Sequence, residues 1–235
     1  MAAARSAPPA AAGVPMYGHP GVAAPAWAAL ALADAPLRWV VLNQADGPGE
    51  HEDPVLYMAA RAVRDAGTRV LGYITLDGGA REDFHTNAEA EAYAARGITG
   101  AFLDECPATG ELLQATALTV LHQRAKGMRY VVLNPGVVPA RGYCDIADQV
   151  VVFEGDLEAY RRAVFPSWTR DYPPSRFAHL VHGVRTADEA AEVVRLAGAR
   201  GCSTVYAHST RHTPATNTWD GLPPYWPEFT RMLAL

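Results

Sequence analysis

Two carboxylates stand side by side at Asp104-Glu105, directly after the apolar run Gly100-Ala101-Phe102-Leu103. An unpaired ionised carboxylate in an apolar setting is costly, so a buried strand ends in charge only where the charge meets water or a partner. The run Gln149-Val150-Val151-Val152-Phe153-Glu154 closes on an acid in the same way. Two strands that deliver acids to one end of a sheet make an acid/base site, because clustered carboxyls keep one proton near neutral pH while another group stays ionised. For each acid taken alone, the competing reading is a helix cap or a solvated surface charge.

The elements that must position these acids are short and regular. β-rich runs bounded by turn residues recur at 14–19, 38–43, 69–75, 100–104, 129–134, 149–154, 177–182 and 203–208. Most are continuously apolar, as parallel strands covered on both faces should be. Ala-rich segments with helical periodicity lie between them at 24–35, 54–66, 87–96, 110–126, 156–164 and 186–199. Several end in a glycine cap that feeds the next strand, as at Ala66-Gly67, Arg96-Gly97 and Lys126-Gly127. Strict alternation through eight strands predicts an α/β chain folded as a single (β/α)8 TIM barrel over residues 14–235, after a flexible Ala/Pro-rich tail at 1–13. Residues 142–147 leave room for at most one turn of helix. An open doubly wound sheet is the competing fold, but it needs a phosphate-binding glycine loop that the sequence lacks.

In a barrel the reacting groups come from the C-terminal ends of strands and the loops beyond. In chain order those ends carry Tyr17 and His19, Asn43 and Asp46, Tyr73 and Asp77, Asp104 and Glu105, Asn134, Glu154, His182, and Tyr206 and His208. Strand starts are mostly Arg or Gly instead. Several of these residues have an ordinary structural reading: His19, His182 and His208 as hydrogen-bonded histidines, Asn43 and Asn134 as turn stabilisers, and Asp77 before Gly78-Gly79 as a turn former. Flat rings that stack on a sugar face are the other half of a carbohydrate site. Tyr17, Tyr73, Trp168, Trp219, Tyr225 and Trp226 are the candidates, and core packing of the last helix is their alternative.

Composition narrows the class. The chain has 235 residues, 49% hydrophobic and 19% charged, with a formal net charge of -5. That balance gives no electrostatic footprint for nucleic acid, and no run approaches the roughly 18–20 apolar residues that span a bilayer. Cys106, Cys144 and Cys202 form no C-x-x-C pair, so neither a disulfide framework nor a zinc knuckle is expected. No cofactor or metal is expected either, and nothing addresses oligomeric state. Residues 1–13 lack the apolar core of a secretory signal, so the chain as written reads as cytoplasmic, or as secreted if a leader has been removed.

Taken together, the stretches Pro15-Met16-Tyr17, Trp39-Val40-Val41-Leu42-Asn43, Val70-Leu71-Gly72-Tyr73, Phe102-Leu103-Asp104-Glu105, Val131-Val132-Leu133-Asn134-Pro135-Gly136, Phe153-Glu154-Gly155, Tyr172-Pro173-Pro174-Ser175-Arg176-Phe177 and Leu222-Pro223-Pro224-Tyr225-Trp226 resemble the spherulation-specific family 4 proteins. The resemblance implies a (β/α)8 glycoside hydrolase related to families 135 and 114, which cleave α-1,4-linked galactosamine-containing polysaccharides. It implies that the functional acids are Asp104, Glu105 and Glu154. The substrate-binding set expected around them is Tyr17, His19, Asn43, Tyr73, Asp77, Asn134, His182, Tyr206, His208, Trp219 and Trp226.

Glycoside hydrolysis needs one protonated carboxyl and one ionised. A retaining scheme with Asp104 as nucleophile, Glu154 as general acid/base and Glu105 as a nearby modulator satisfies this. Two rivals use the same mouth. One is a metal-dependent hydrolase or deacetylase holding a metal with His19, His182, His208 and Asp104. The other is a non-catalytic sugar-binding barrel, or an intracellular enzyme of specialised metabolism acting on a small molecule.

Overall fold

The computed structural model describes residues 10–32, 34, 36–211, 213 and 217–234. Eight parallel strands run in sequence order: β1 (Ala12–Met16), β2 (Leu37–Leu42), β3 (Arg69–Thr75), β4 (Gly100–Asp104), β5 (Tyr130–Leu133), β6 (Gln149–Asp156), β7 (Phe177–His182) and β8 (Thr204–Ala207). Each pairs in parallel with the next. Closure of the last seam comes from Ala11, which bridges Thr204; its N–H donates to Ser203 O at 2.9 Å and its carbonyl accepts from Val205 N at 3.0 Å. The fold is therefore the expected single (β/α)8 barrel.

Helices α1 (Pro20–Leu30), α2 (Pro54–Asp65), α3 (Asp83–Ala95), α4 (Leu113–Ala125), α5 (Tyr143–Ile146), α6 (Leu157–Arg162), α7 (Ala187–Ala199) and α8 (Trp226–Leu233) form the outer layer. Between β5 and β6 the single turn of α5 fills the gap that the sequence leaves for it. Several boundaries move, α3 for instance starting at Asp83 and not at 87, and two are instructive. The first helix starts four residues earlier than its Ala-rich pattern, because His19 caps it and Pro20 occupies its first turn; the last positions of the expected 24–35 segment include two outside the described residues. The barrel also begins before residue 14, since Ala11 and Ala12 already make sheet hydrogen bonds. Backbone pairing needs no side chain, so an Ala-Ala-Gly run reads as tail while serving as strand. Residues 1–9 of the expected tail lie outside the described residues.

Inside the barrel, Trp39 spans the interior and donates its indole N–H to Gln149 Oε1 at 2.6 Å, and Gln149 Nε2 donates to Thr204 Oγ1 at 2.9 Å. All three residues are fully buried, so the amide satisfies both neighbours. Gly13 makes room for this indole, because a Cβ there would lie 2.4 Å from the ring.

Strand β6 carries one irregularity that matters for everything above it. Val151 pairs with Ala178 and Phe153 with His179, leaving Val152 as an extra residue. Side chains alternate along a strand, so one inserted residue flips all that follow. Gln149 points into the barrel below the insertion. Beyond it Phe153 points outward onto Tyr160 of α6, with ring centroids 4.8 Å apart, and Glu154 turns inward.

Candidate active site

The C-terminal mouth of the barrel holds a cleft of about 440 Å³ lined by Tyr17, Asn43, Asp46, Tyr73, Asp104, Glu154, His182, Asn217, Thr218 and Trp219. Its floor is a hydrogen-bonded group centred on Asn134. The Asn134 amide donates one hydrogen to Asp104 Oδ1 at 2.6 Å and the other to Glu154 Oε2 at 2.7 Å. Both distances end on one nitrogen, which caps the separation of those two oxygens at about 5.3 Å. Asn134 is itself fixed: its N–H donates to Leu103 O, its carbonyl accepts from Cys106 N, and its side-chain oxygen accepts from Gly136 N. Asn134 thus acts both in its turn and between the acids.

The two carboxyls sit in different fields. Burial pushes Glu154 up to about 7, the Asp104 charge adds to the rise, and hydrogen bonds from Asn134 and the Trp219 side chain oppose it. Burial also raises Asp104, but Asn134, Tyr73 and the Glu105 backbone all hydrogen-bond its charged form. Glu154 is therefore the better proton reservoir and Asp104 the better-supported anion, although so close a pair titrates as a unit.

Around the acids stand rings. Tyr17 and Tyr73 meet edge to face at 5.6 Å, and burial lifts both phenols well above their ordinary range, with the Asp104 charge adding to it. Trp219 closes the far wall on a segment laid across the mouth, where Tyr17 N donates to Trp219 O at 2.8 Å. Gly18 permits that crossing, because a Cβ there would lie 1.9 Å from Asp220 O. Asn43 lines the cleft while its Oδ1 accepts from Gly47 N.

Other expected site residues lie elsewhere. Glu105 does not line the cleft: it stands just past the end of β4, where the backbone leaves the extended conformation, and its side chain accepts from the Thr75 hydroxyl at 2.8 Å. Asp77 begins a tight turn there, with its N–H on Thr75 Oγ1. Both have positive φ, at 48° and 47°. His19 caps α1 through Gly21 N and pairs with Asp53 at 3.0 Å. Tyr206 packs against Trp226 and Phe229 of α8, and all three are buried in the core, the alternative reading given for Trp226. His208 is buried behind Trp219, accepts from Thr210 N, and is driven by burial down to about 4, so it stays neutral. With His19 and His208 so engaged, the histidine-carboxylate metal set of the rival reading is not assembled, and among the described residues no group of three His, Cys, Asp or Glu side chains is placed to hold a metal ion. No helix among them is long and apolar enough to cross a membrane.

Asn217 and Thr218 were not among the expected residues. The signal for them is local: Asn217 Oδ1 accepts from Trp219 N at 3.0 Å, the side-chain turn that sets the angle of the ring. Asp46 joins the cleft with a positive φ of 51°.

Comparison with known proteins agrees with this architecture. A sequence model of spherulation-specific family 4 matches residues 12–233. The chain is 30% identical to Spherulin-4 of Physarum polycephalum over 168 residues, 68% of this chain and 49% of that protein, so it spans about half the length of this curated relative. Among solved structures, Aspergillus clavatus Sph3 in complex with GalNAc superposes with a TM-score of 0.78 at 23% identity, covering 97% of this chain and 98% of that one.

Proposed function

This chain belongs to spherulation-specific family 4, and we propose that it is a glycoside hydrolase that cleaves galactosamine-containing, α-1,4-linked poly- or oligosaccharide by a two-carboxylate, retaining mechanism. The observation that carries this reading is the shared Asn134 amide, which holds Asp104 and Glu154 side by side at the floor of an open, ring-lined cleft. The bridge holds their nearest oxygens within about 5.3 Å, which supports the close carboxyl spacing, roughly 5–5.5 Å, of retaining enzymes.

In the first step Asp104 attacks the anomeric carbon as Glu154 gives its proton to the glycosidic oxygen, so the bond to the leaving sugar breaks while an ester forms to Asp104. In the second, Glu154 takes a proton from water, which attacks the same carbon and releases Asp104. The raised Glu154 carboxyl supplies the proton of step one at neutral pH. Tyr17, Tyr73 and Trp219 offer ring faces and edges to a pyranose, with Asn43, Asp46, His182 and Asn217 placed to bind its hydroxyl or amino groups. Likeness to a protein crystallised with GalNAc supports an amino-sugar substrate.

The test is turnover of α-1,4-linked galactosamine and N-acetylgalactosamine oligomers by the wild type beside Asp104→Asn and Glu154→Gln. Each variant should lose on the order of a thousandfold or more in kcat, and the first product released by the wild type should keep the α configuration by NMR. Unchanged turnover in both variants overturns the assignment; a β product released first overturns retention alone.

A further inference from the structure

The opposite end of the barrel carries a second cavity with the opposite charge. About 430 Å³ in volume, it is lined at the N-terminal ends of β3, β4 and β5 by Arg64, Arg69, Arg129, Thr68, Thr99 and Tyr130, together with small and apolar residues, and among the described residues no acid lines it. This in a chain of net charge -5. Arg69 stacks on the Tyr130 ring, 4.8 Å from its centroid, an arrangement that occupies the guanidinium face and leaves its edge donors available. Arg64 spends one nitrogen on Gly97 O at 2.6 Å. Among the described residues the Arg129 side chain has no hydrogen-bond or ion-pair partner.

The field extends behind this wall. Arg38 and Arg176 also bear electrostatically on Tyr130, and the Nε of each is buried with no hydrogen-bond partner. Asp148 bears on Tyr130 with the opposite sign, and it is already held by Arg124 at 2.9 Å and by Val131 N at 2.8 Å. Guanidinium groups cannot shed their charge at any ordinary pH, so their mutual repulsion persists unless an anion offsets it.

We propose that this base cavity is a binding site for a phosphoryl-type oxyanion, free or as the phosphate of a small phosphorylated sugar, with Arg69 and Arg129 as its principal ligands and Arg64, Thr68 and Thr99 as flanking donors. Planar, forked guanidinium edges match the oxygens of such an anion, and threonine hydroxyls complete the shell. The site lies at the far end of the barrel from the carboxylate pair, so it binds without entering the reaction.

The experiment titrates the whole chain, labelled with nitrogen-15, with sodium phosphate and separately with a hexose 6-phosphate, holding ionic strength constant with sodium chloride. Saturable amide shifts should centre on Gly97, Thr99, Gly100 and Tyr130. In Arg129→Gln, whose side chain holds nothing else in place, the apparent affinity should fall roughly tenfold, and in Arg69→Gln/Arg129→Gln the shifts should vanish while hydrolytic turnover at the mouth persists. Saturation by phosphate alone identifies the free ion as sufficient; saturation by the ester only identifies the sugar phosphate. Shifts that never saturate, that chloride reproduces, or that survive in Arg129→Gln with unchanged affinity overturn the proposal.

Discussion

The two ends of this barrel are built from the same eight strands and hold charge in opposite ways. At the mouth, two acids share one amide and are close enough to set each other's protonation. At the base, arginines are spaced around Tyr130 and held by ring stacking and main-chain carbonyls. Parallel strands make this segregation possible, since every strand exposes its C-terminal residue at one end and its first residue at the other. The lesson is that proximity, and not the mere sum of charge, creates acid/base chemistry: coupled carboxyls change their proton affinity, while separated guanidiniums only create a field.

The largest effect that would sharpen this contrast is on turnover. Substitution of either cleft acid should cost about a thousandfold or more in kcat, whereas Arg129→Gln should leave hydrolysis within about twofold, a difference read directly by parallel kinetics. Next comes the bridge. Asn134→Ala removes a donor that favours both charged carboxyls, so both proton affinities rise. A fall of roughly ten- to a hundredfold in kcat, with the alkaline limb of the pH–rate profile moved to higher pH, is expected; a profile that stays in place would break the coupling argument.

Stability offers a third measure. Glu154 has a carboxyl raised from about 4.5 to about 7 on folding, so across that window the native state binds a proton that the unfolded chain has released. Its contribution is complete below the unfolded value and is lost as pH rises through the folded one. The stability of Glu154→Gln relative to wild type should therefore rise from pH 4.5 to pH 8, by on the order of 3 kcal/mol at most in denaturant unfolding. Smaller still, Glu105→Gln should reduce kcat by less than about tenfold, because that carboxylate faces Thr75 and not the cleft. Smallest, His19→Ala should cost about 1 kcal/mol in denaturant unfolding through loss of the α1 cap, with turnover unchanged.

Eightfold alternation made the barrel legible in the sequence, and the residues at strand ends named most of the cleft: Tyr17, Asn43, Tyr73, Asp104, Glu154, His182 and Trp219 all line it. What could not be read was direction. Asp104 and Glu105 are equal as letters, but the strand ends between them, and a left-handed turn at Glu105 sends its carboxylate to Thr75 while Asp104 faces the cleft. Tyr206 and Trp226 are aromatic and near the mouth in sequence, yet Trp226 opens α8 and packs with it onto Tyr206 in the core. Asn134 carries a turn signal that conceals its second task, since only the folded barrel brings Asp104 and Glu154 to either side of its amide.

Insertion of Val152 into β6 bears on how such a protein could gain or lose its chemistry. Counted by strict alternation from Gln149, Phe153 would face inward and Glu154 the helices; the extra residue reverses both, so the pairing of Phe153 with His179 and of Glu154 with Leu180 is what aims the proton donor. Had Val152 been drawn into the ladder opposite His179, every acid, ring and amide would remain and Glu154 would turn toward the helices. A relative without that valine would keep Glu154 inward on an unbulged strand, so in this fold the inheritance of activity depends on the parity of a count together with the bulge that corrects it.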